Sequence, residues 1–449
     1  MYPRRLRFRR PRCRGRTIWL PIPRNTFNAN LIQANNREID LAGNYESAGY
    51  RNMPWRREDF IYSLSGEGLH EEMYHFCQYI SPTVAENHVR EHVIKNLEKI
   101  ITSLWPDTEI RVFGSYKVNV YLPTSDIDLV VIGNCANSPL RILARELLNK
   151  GIVQRNDIKV IETAVVPIIK IVEKATKLKI DISFNVLTGI QSVEFINMYL
   201  LKYPTLKMII YIIKQFLAQH NLNDTFFGGI GSYTLILMCI SFFQHHIRQD
   251  VLQGMNTNPF NYGTLLMDFL ELYGRDFNYI NTAIQVTNGG RYIDKSELLS
   301  EGYRPSLLHI QDPLIPGNDI ARGSFAVFQV KKAFSEAYLL LRECVDNVSH
   351  DTNQQSILGR IISISNEIIQ YRKDLQKYFE KMPKENVSSK HSSTLPQLLS
   401  INSSCKSSTE NEETKEEIKD NSVPQPIKTE AEIGTGEKPN QDETTGTMI

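Results

Sequence analysis

The chain shows no excess of either charge: 51 lysines and arginines stand against 50 acidic residues, a net charge of +1. No overall field therefore announces a polyanionic or polycationic partner. Cysteine is sparse. The six thiols (Cys13, Cys77, Cys135, Cys239, Cys344 and Cys405) include no C-x-x-C pair, which excludes a sequence-legible zinc module. No secretory leader is read at the start, so disulfides are not expected and a reducing compartment is. Long apolar runs are missing too. The longest, residues 230–243, is broken by Gly231, Ser232, Tyr233 and Thr234 and falls short of the roughly 20 residues that span a bilayer, so no membrane role is expected. No Ser/His/Asp arrangement stands out. His88 and His92 are spaced i, i+4 without the glutamate a zincin needs after the first histidine, and read as exposed helical side chains.

What the chain does have is 449 residues with 41% hydrophobic content, enough for two or three domains with sizeable cores, and charge that is unevenly placed. Residues 1–16 hold eight arginines, and the polar, aperiodic sequence continues to residue 60, so 1–60 is predicted to be a disordered basic arm able to hold phosphates. After Phe379 no aromatic residue remains, and residues 401–449 carry eleven acids against five lysines, which predicts a disordered acidic tail over 381–449.

Between these ends, two blocks read differently. Over residues 61–186 a short helix is expected at 69–79. A capping box over Ser81-Pro-Thr-Val-Ala-Glu86 then starts a longer helix that stops at Trp105-Pro106. Strands are predicted at 109–113, 127–132, 158–162, 166–172 and 178–184, with an amphipathic helix at 138–150, giving a small α/β unit. Over residues 187–380 the strands are expected to disappear. Helices are predicted around Leu206 to Leu217 and at 233–246, 264–273 and 327–345, interrupted by a Gly, Pro, Asn and Asp-rich loop at 288–324.

The chemistry concentrates in Gly114-Ser115, ten further residues, and then Asp126-Ile-Asp128. Side chains alternate across a strand, so the two carboxylates emerge on one face while Ile127 and Leu129 point to the other. Asp181, between Ile180 and Ile182 on another predicted strand, offers a third. Three carboxylates suit two Mg²⁺ or Mn²⁺ ions, hard cations with oxygen ligands, and the Gly-Ser turn suits a phosphate. That combination points to phosphoryl transfer.

This pattern resembles the nucleotidyltransferase superfamily typified by DNA polymerase beta. Tyr121-Leu-Pro-Thr-Ser-Asp-Ile-Asp-Leu-Val-Val131 narrows the likeness to the noncanonical poly(A) polymerases. Val166-Pro-Ile-Ile-Lys170, Lys214-Gln-Phe-Leu217, Gly228-Gly-Ile-Gly-Ser-Tyr233, Phe269-Leu-Glu-Leu-Tyr-Gly274 and Gln311-Asp-Pro-Leu-Ile-Pro-Gly-Asn-Asp319 resemble their nuclear TRAMP-type branch. The resemblance implies an α+β fold, with a small mixed-sheet nucleotidyltransferase domain packed against a mainly helical PAP-associated domain. It implies template-independent addition of AMP from ATP to an RNA 3′ end, with Asp126, Asp128 and Asp181 as catalytic metal ligands. Gly114, Ser115, Lys214 (a mobile point charge) and Ser232 would meet the triphosphate, Tyr233 would stack on the base, and Asn318 and Arg322 would select it. It further implies a nuclear, even nucleolar, location, a zinc-knuckle partner, an RNA helicase and a link to the exosome. Two alternatives remain open: a terminal uridylyltransferase or mixed-nucleotide tailing enzyme, and a catalytically weak scaffold or RNA-binding subunit of a surveillance complex. The second is motivated by Val118-Asn119-Val120, where the family usually reads Thr-Gly-Leu; Thr188-Gly189 likewise replaces a usual Asn-Gly.

Overall fold

The computed structural model describes residues 53–63, 65–135, 138–164, 166–246, 261–346 and 356–383. Most of the expected basic arm and almost all of the expected acidic tail lie outside these residues.

Helix α1 (Gly66–Ile80) is capped by Ser65, and α2 (Val84–Leu104) by the expected box, with Thr83 Oγ1 accepting from Glu86 N and Glu86 Oε2 accepting from Thr83 N. Trp105 ends α2 as predicted. Then come β1 (Glu109–Phe113), the single turn α3 (Gly114–Lys117), β2 (Ile127–Ile132), α4 (Pro139–Asn149), β3 (Val153–Ile161), β4 (Ile168–Glu173) and β5 (Lys179–Phe184). They form a five-stranded mixed sheet in the order β1-β2-β5-β4-β3, in which only β2 and β5 are parallel. Alternation decides its two faces. Ile127, Leu129, Val131, Ile180 and Ile182 turn inward onto α2 and α4, and Leu375 joins the same core. The residues between them are left for the other face.

The second block holds α5 (Thr188–Lys202), α6 (Leu206–Gln219), α7 (Ser232–His246), α8 (Tyr262–Glu271), α10 (Val327–Asp346) and α11 (Asn366–Lys381). Its core also takes α1, through Leu69, Met73, Phe76 and Ile80. The stretch between the Gly-Ser turn and β2 belongs to this core as well, since Val118, Val120 and Leu122 are buried in it. That stretch is the seam between the two blocks.

Two expectations need correction. Strands do not disappear after residue 187: β6 (Thr282–Gln285), β7 (Arg291–Asp294) and β8 (His309–Ile310) form a three-stranded sheet in the order β7-β6-β8, with the short helix α9 (Lys295–Ser300) after β7. Asn288, Gly289 and Gly290 all hold positive φ and close the β6-β7 hairpin. Strands of two to four residues are too short to show period-2 alternation. Nor does the arm run disordered to residue 60. Trp55 is 2% exposed and meets Phe76 edge-on at 5.3 Å, because a ring that large buries enough apolar area to order its neighbours. Among the described residues no helix is long and apolar enough to cross a membrane.

Candidate functional site

The three aspartates converge at one end of the five-stranded sheet. Asp128 on β2 stands in register with Asp181 on β5. Adjacent strands lie roughly 4.8 Å apart, so both carboxylates leave the face opposite the core as neighbours. Asp126 immediately precedes β2. Burial, then the charges of Asp181 and Asp126, push the Asp128 carboxyl up to about 7. Burial also raises Asp181, against the pull of Lys170. Lys170 is in register with Asp181 on β4 and forms an ion pair with it. Sequence reasoning left Lys170 inside a motif without a role; its place between Ile169 and Ile171, both buried, was the available signal.

Crowded acidic oxygens, such as those that raise the Asp128 carboxyl, are the donor set of a hard divalent cation. Among the described residues no three His, Cys, Asp or Glu side chains are grouped closely enough to hold an ion as they stand. The donor chemistry fits Mg²⁺ or Mn²⁺. His88 and His92 do not form a second centre: His88 Nδ1 bonds Val84 O at 2.8 Å and His92 Nε2 meets Asn96 Nδ2 at 3.0 Å.

The phosphate turn is built against the same carboxylates. Phe113 pairs with Asp128 across β1 and β2, so the chain turns at Gly114 directly beside Asp128. Gly114 has φ +68°, and a β-carbon there would overlap the Asp128 carboxylate. Only glycine meets both demands. Gly114→Ala is therefore expected to lower ATP-dependent extension at least a hundredfold while costing only about 1–3 kcal/mol of stability, measured by extension rate beside thermal unfolding. Gly189 is constrained in the same way, since a β-carbon there would strike the Phe113 ring. The Thr188-Gly189 departure thus keeps the glycine that lets α5 approach β1.

Val118-Asn119-Val120 preserves the backbone a glycine would give, with Asn119 at φ +54°. Its carbonyls are held from α6: Tyr211 OH donates to Asn119 O, and Lys214 Nζ to Val120 O, both at 3.0 Å. Lys214 is thereby corrected from a mobile charge to a fixed one. It is 6% exposed, and burial lowers its ammonium to about 8 against the attraction of Asp128 and Asp126.

Below the Asp126 loop lies a residue that sequence reasoning missed. Arg90 of α2 is fully buried, and its Nη2 donates to Pro123 O at 3.0 Å and Ser125 O at 2.9 Å. Its guanidinium sits 4.4 Å above the Tyr121 ring, whose hydroxyl donates to Asn87 Oδ1. One turn of α2 therefore grips both ends of the loop entering Asp126. Nothing in the periodicity of a helix marks a buried arginine in advance.

At the start of α7, Ser232 is exposed among the first, unpaired N–H groups of the helix, a suitable anion position. Tyr233 is half-buried and packs on the helical core; burial and then nearby Asp312 raise its hydroxyl. Asp312 leads to Asn318, whose side-chain amide donates to Asp312 Oδ2 at 2.8 Å. The structure thus brings Tyr233 and Asn318 to the same carboxylate. Arg322 borders the same loop: its side chain is 62% exposed, 4.0 Å from Asp319, and it donates weakly to Arg304 O. The organiser of this loop is Asp319, whose buried carboxylate accepts from Ser306 Oγ, Ile310 N and Ala321 N. His309 Nδ1 lies 3.0 Å away, off the line of a hydrogen bond. Although burial opposes it, these partners hold the Asp319 carboxyl below its ordinary range.

Comparison with known proteins follows the same outline. The family described as "Poly(A) RNA polymerase, mitochondrial-like, central palm domain" matches residues 69–201, and "Cid1 family poly A polymerase" matches residues 261–318. Poly(A) RNA polymerase cid14 of Schizosaccharomyces pombe is 34% identical over 74% of this chain and 50% of its own length. The inactive non-canonical poly(A) RNA polymerase protein Trf4-2 of Drosophila melanogaster is 34% identical over 71% of this chain and 80% of its own. The solved polymerase core of TRAMP, described as an RNA surveillance complex, superposes with a TM-score of 0.60 at 34% identity, covering 67% of this chain and 95% of that one. The chain spans about half the length of several curated relatives it matches.

Proposed function

The chain belongs to the noncanonical poly(A) polymerases of the TRAMP type, and from that premise we propose that it is a template-independent RNA 3′-end adenylyltransferase. The observation that carries the reading is the in-register pair Asp128 and Asp181 beside the Gly114-Ser115 turn, with Lys214 facing them across the seam. The RNA 3′-hydroxyl attacks the α-phosphate of ATP and pyrophosphate leaves. Two Mg²⁺ or Mn²⁺ ions held by Asp126, Asp128 and Asp181 would supply activation of that hydroxyl and neutralise the departing charge. Around them, the backbone at Gly114, the Ser115 hydroxyl, Ser232 at the start of α7 and the Lys214 ammonium hold the triphosphate. Asp181, steadied by Lys170, receives the proton of the attacking hydroxyl. Tyr233 stacks on the adenine, and Asn318, oriented by Asp312, reads its edge. Arg322 borders this loop.

In the cell this reading places the chain in the nucleus, adding short tails that mark RNA for surveillance, processing or decay. The TRAMP polymerase core, described as part of an RNA surveillance complex, supports it, and partners such as a zinc-knuckle protein and a helicase would add RNA affinity. One observation favours a second reading. A relative of which this chain covers 80%, Trf4-2, is named inactive, which supports a scaffold of weak catalysis. The experiment is extension of a short RNA with Mg²⁺ or Mn²⁺ and each nucleotide in turn. ATP should be used at least tenfold better than UTP, and Asp126→Ala should end extension. Equal use of UTP would make it a mixed tailing enzyme; no extension with any nucleotide, partners added, would leave the scaffold.

A further inference from the structure

Lys295 is the first residue of α9 and is 5% exposed, although it carries an ammonium group. Lysine is almost never buried to that degree unless it is paired. Its Nζ donates to Tyr279 O at 2.6 Å, Ser306 O at 2.7 Å and Leu307 O at 2.8 Å. An ammonium has three donors and these carbonyls take them all, so none remains for a ligand. We propose that Lys295 is a positioning residue for base selection, fixing through Ser306 and Asp319 the loop that carries Asn318; this rests on the reading of the chain as an enzyme that selects ATP.

The carbonyls belong to segments that pairing alone holds weakly. Tyr279 precedes β6, and Ser306 and Leu307 precede β8. Strand β8 is only two residues long, and its ladder to β6 consists of Ala283 with His309 and Ile284 with Ile310. A strand that short gains little from its own pairing, so contacts on either side of it must supply the rest.

Two clamps supply it, and they meet at Ser306. Its carbonyl accepts from Lys295, while its hydroxyl and N–H donate to Asp319 Oδ2 at 2.7 and 3.3 Å. Asp319 Oδ1 accepts from Ile310 N and Ala321 N, and the Asp319 backbone bridges to Gln311. The two clamps also attract each other: the Asp319 charge favours the Lys295 ammonium, although burial prevails and lowers it to about 8. Asn318 directly precedes Asp319. Asp312, which accepts from the Asn318 amide and acts on the Tyr233 hydroxyl, is the second residue after β8. A lysine with no donor left for a ligand thereby sets where these groups stand. Discrimination between bases requires such groups to be held within about 0.5 Å of their productive positions.

The test uses the full chain with Mg²⁺ and a short RNA. Lys295→Met keeps a long unbranched side chain and leaves the three carbonyls without their donor. It should raise the KM for ATP about tenfold, leave kcat within about threefold and the KM for RNA unchanged, and lower the preference for ATP over UTP about tenfold. Loss of folded protein would reduce the use of both nucleotides alike, so their ratio reads placement of the loop. Ser306→Ala keeps the three ammonium bonds and removes the hydroxyl bond to Asp319. It should lower the same ratio about threefold, and it decides the matter if Lys295→Met does not fold. Displacement of a fluorescent ATP analogue by ATP and by UTP, without RNA, should show the same narrowing. A ratio unchanged in Ser306→Ala and in folded Lys295→Met overturns the proposal, as does equal binding of ATP and UTP by the native chain. A native chain that binds ATP selectively but extends no RNA would overturn the adenylyltransferase reading alone, so the two fail separately.

Discussion

Asp128→Asn should lower ATP-dependent RNA extension by roughly a thousandfold or more, because metal-held transition-state charge is worth several kcal/mol and each ~1.4 kcal/mol is tenfold. The substitution keeps the shape of the side chain and removes the charge at the point where β1, β2 and β5 meet. Retention of a tenth of the activity would sink the assignment of this centre. The same charge carries a stability signature. The Asp128 carboxyl is pushed up to about 7 from an ordinary 3.8 by burial and by its acidic neighbours. Between these values the unfolded chain has released its proton while the folded chain still holds it. Metal-free protein should therefore lose stability as pH rises from about 4 to about 7, since stability falls wherever the folded state binds more protons. At pH 8, Mg²⁺ should raise the unfolding temperature of the native chain and leave that of Asp128→Asn nearly unmoved. Calorimetry with and without the ion reads both.

How much of this was legible in sequence depended on how locally each feature is encoded. Strands β1 and β2 fall on their predicted residues because Ile127, Leu129 and Val131 alternate against a single core. The box at Thr83 and Glu86 is a four-residue signal and was found. The same alternation puts Asp128 and Asp181 on one face, with Asp126 immediately before β2. What escaped depends on contacts between distant segments. Arg90 acts on carbonyls 33 and 35 residues away, and Asp319 collects donors from a separate turn at Ser306. Lys214 looked like a free charge because nothing local shows that Val120 O, 94 residues earlier, will meet it. The β6-β7-β8 sheet was hidden by strands too short to carry a period.

Arg372→Leu should destabilise the fold by about 3–5 kcal/mol, the usual cost of leaving a buried charge without its partner. Arg372 Nη2 donates to Glu86 Oε2 at 3.1 Å, and Nε lies 2.8 Å from Oε1, off the line of a hydrogen bond; the side chains are 11% and 2% exposed. The same guanidinium donates to Tyr79 O at 2.6 Å and Ser81 O at 3.1 Å, at the junction of α1 and α2. An unfolding temperature lower by on the order of 10 °C is expected, at about 2–4 °C per kcal/mol for a body of this size. Adding Glu86→Gln should recover part of it, because the orphaned charge is then gone; a double variant no better than the single would show that packing carried the effect. The consequence reaches the site through the strap that Arg372 anchors. Ser356 to Leu358 bond to Glu72 on α1, Ile361 O and Ser363 O accept from Gln219 and Gln215 on α6, and Leu375 then enters the sheet core. That strap crosses from the helical block, which carries Lys214 and Tyr233, to the sheet that carries Asp128. Loosening it should let the two halves of the nucleotide site drift, so well below its unfolding temperature the Arg372 variant should show a raised KM for ATP with a smaller change in kcat.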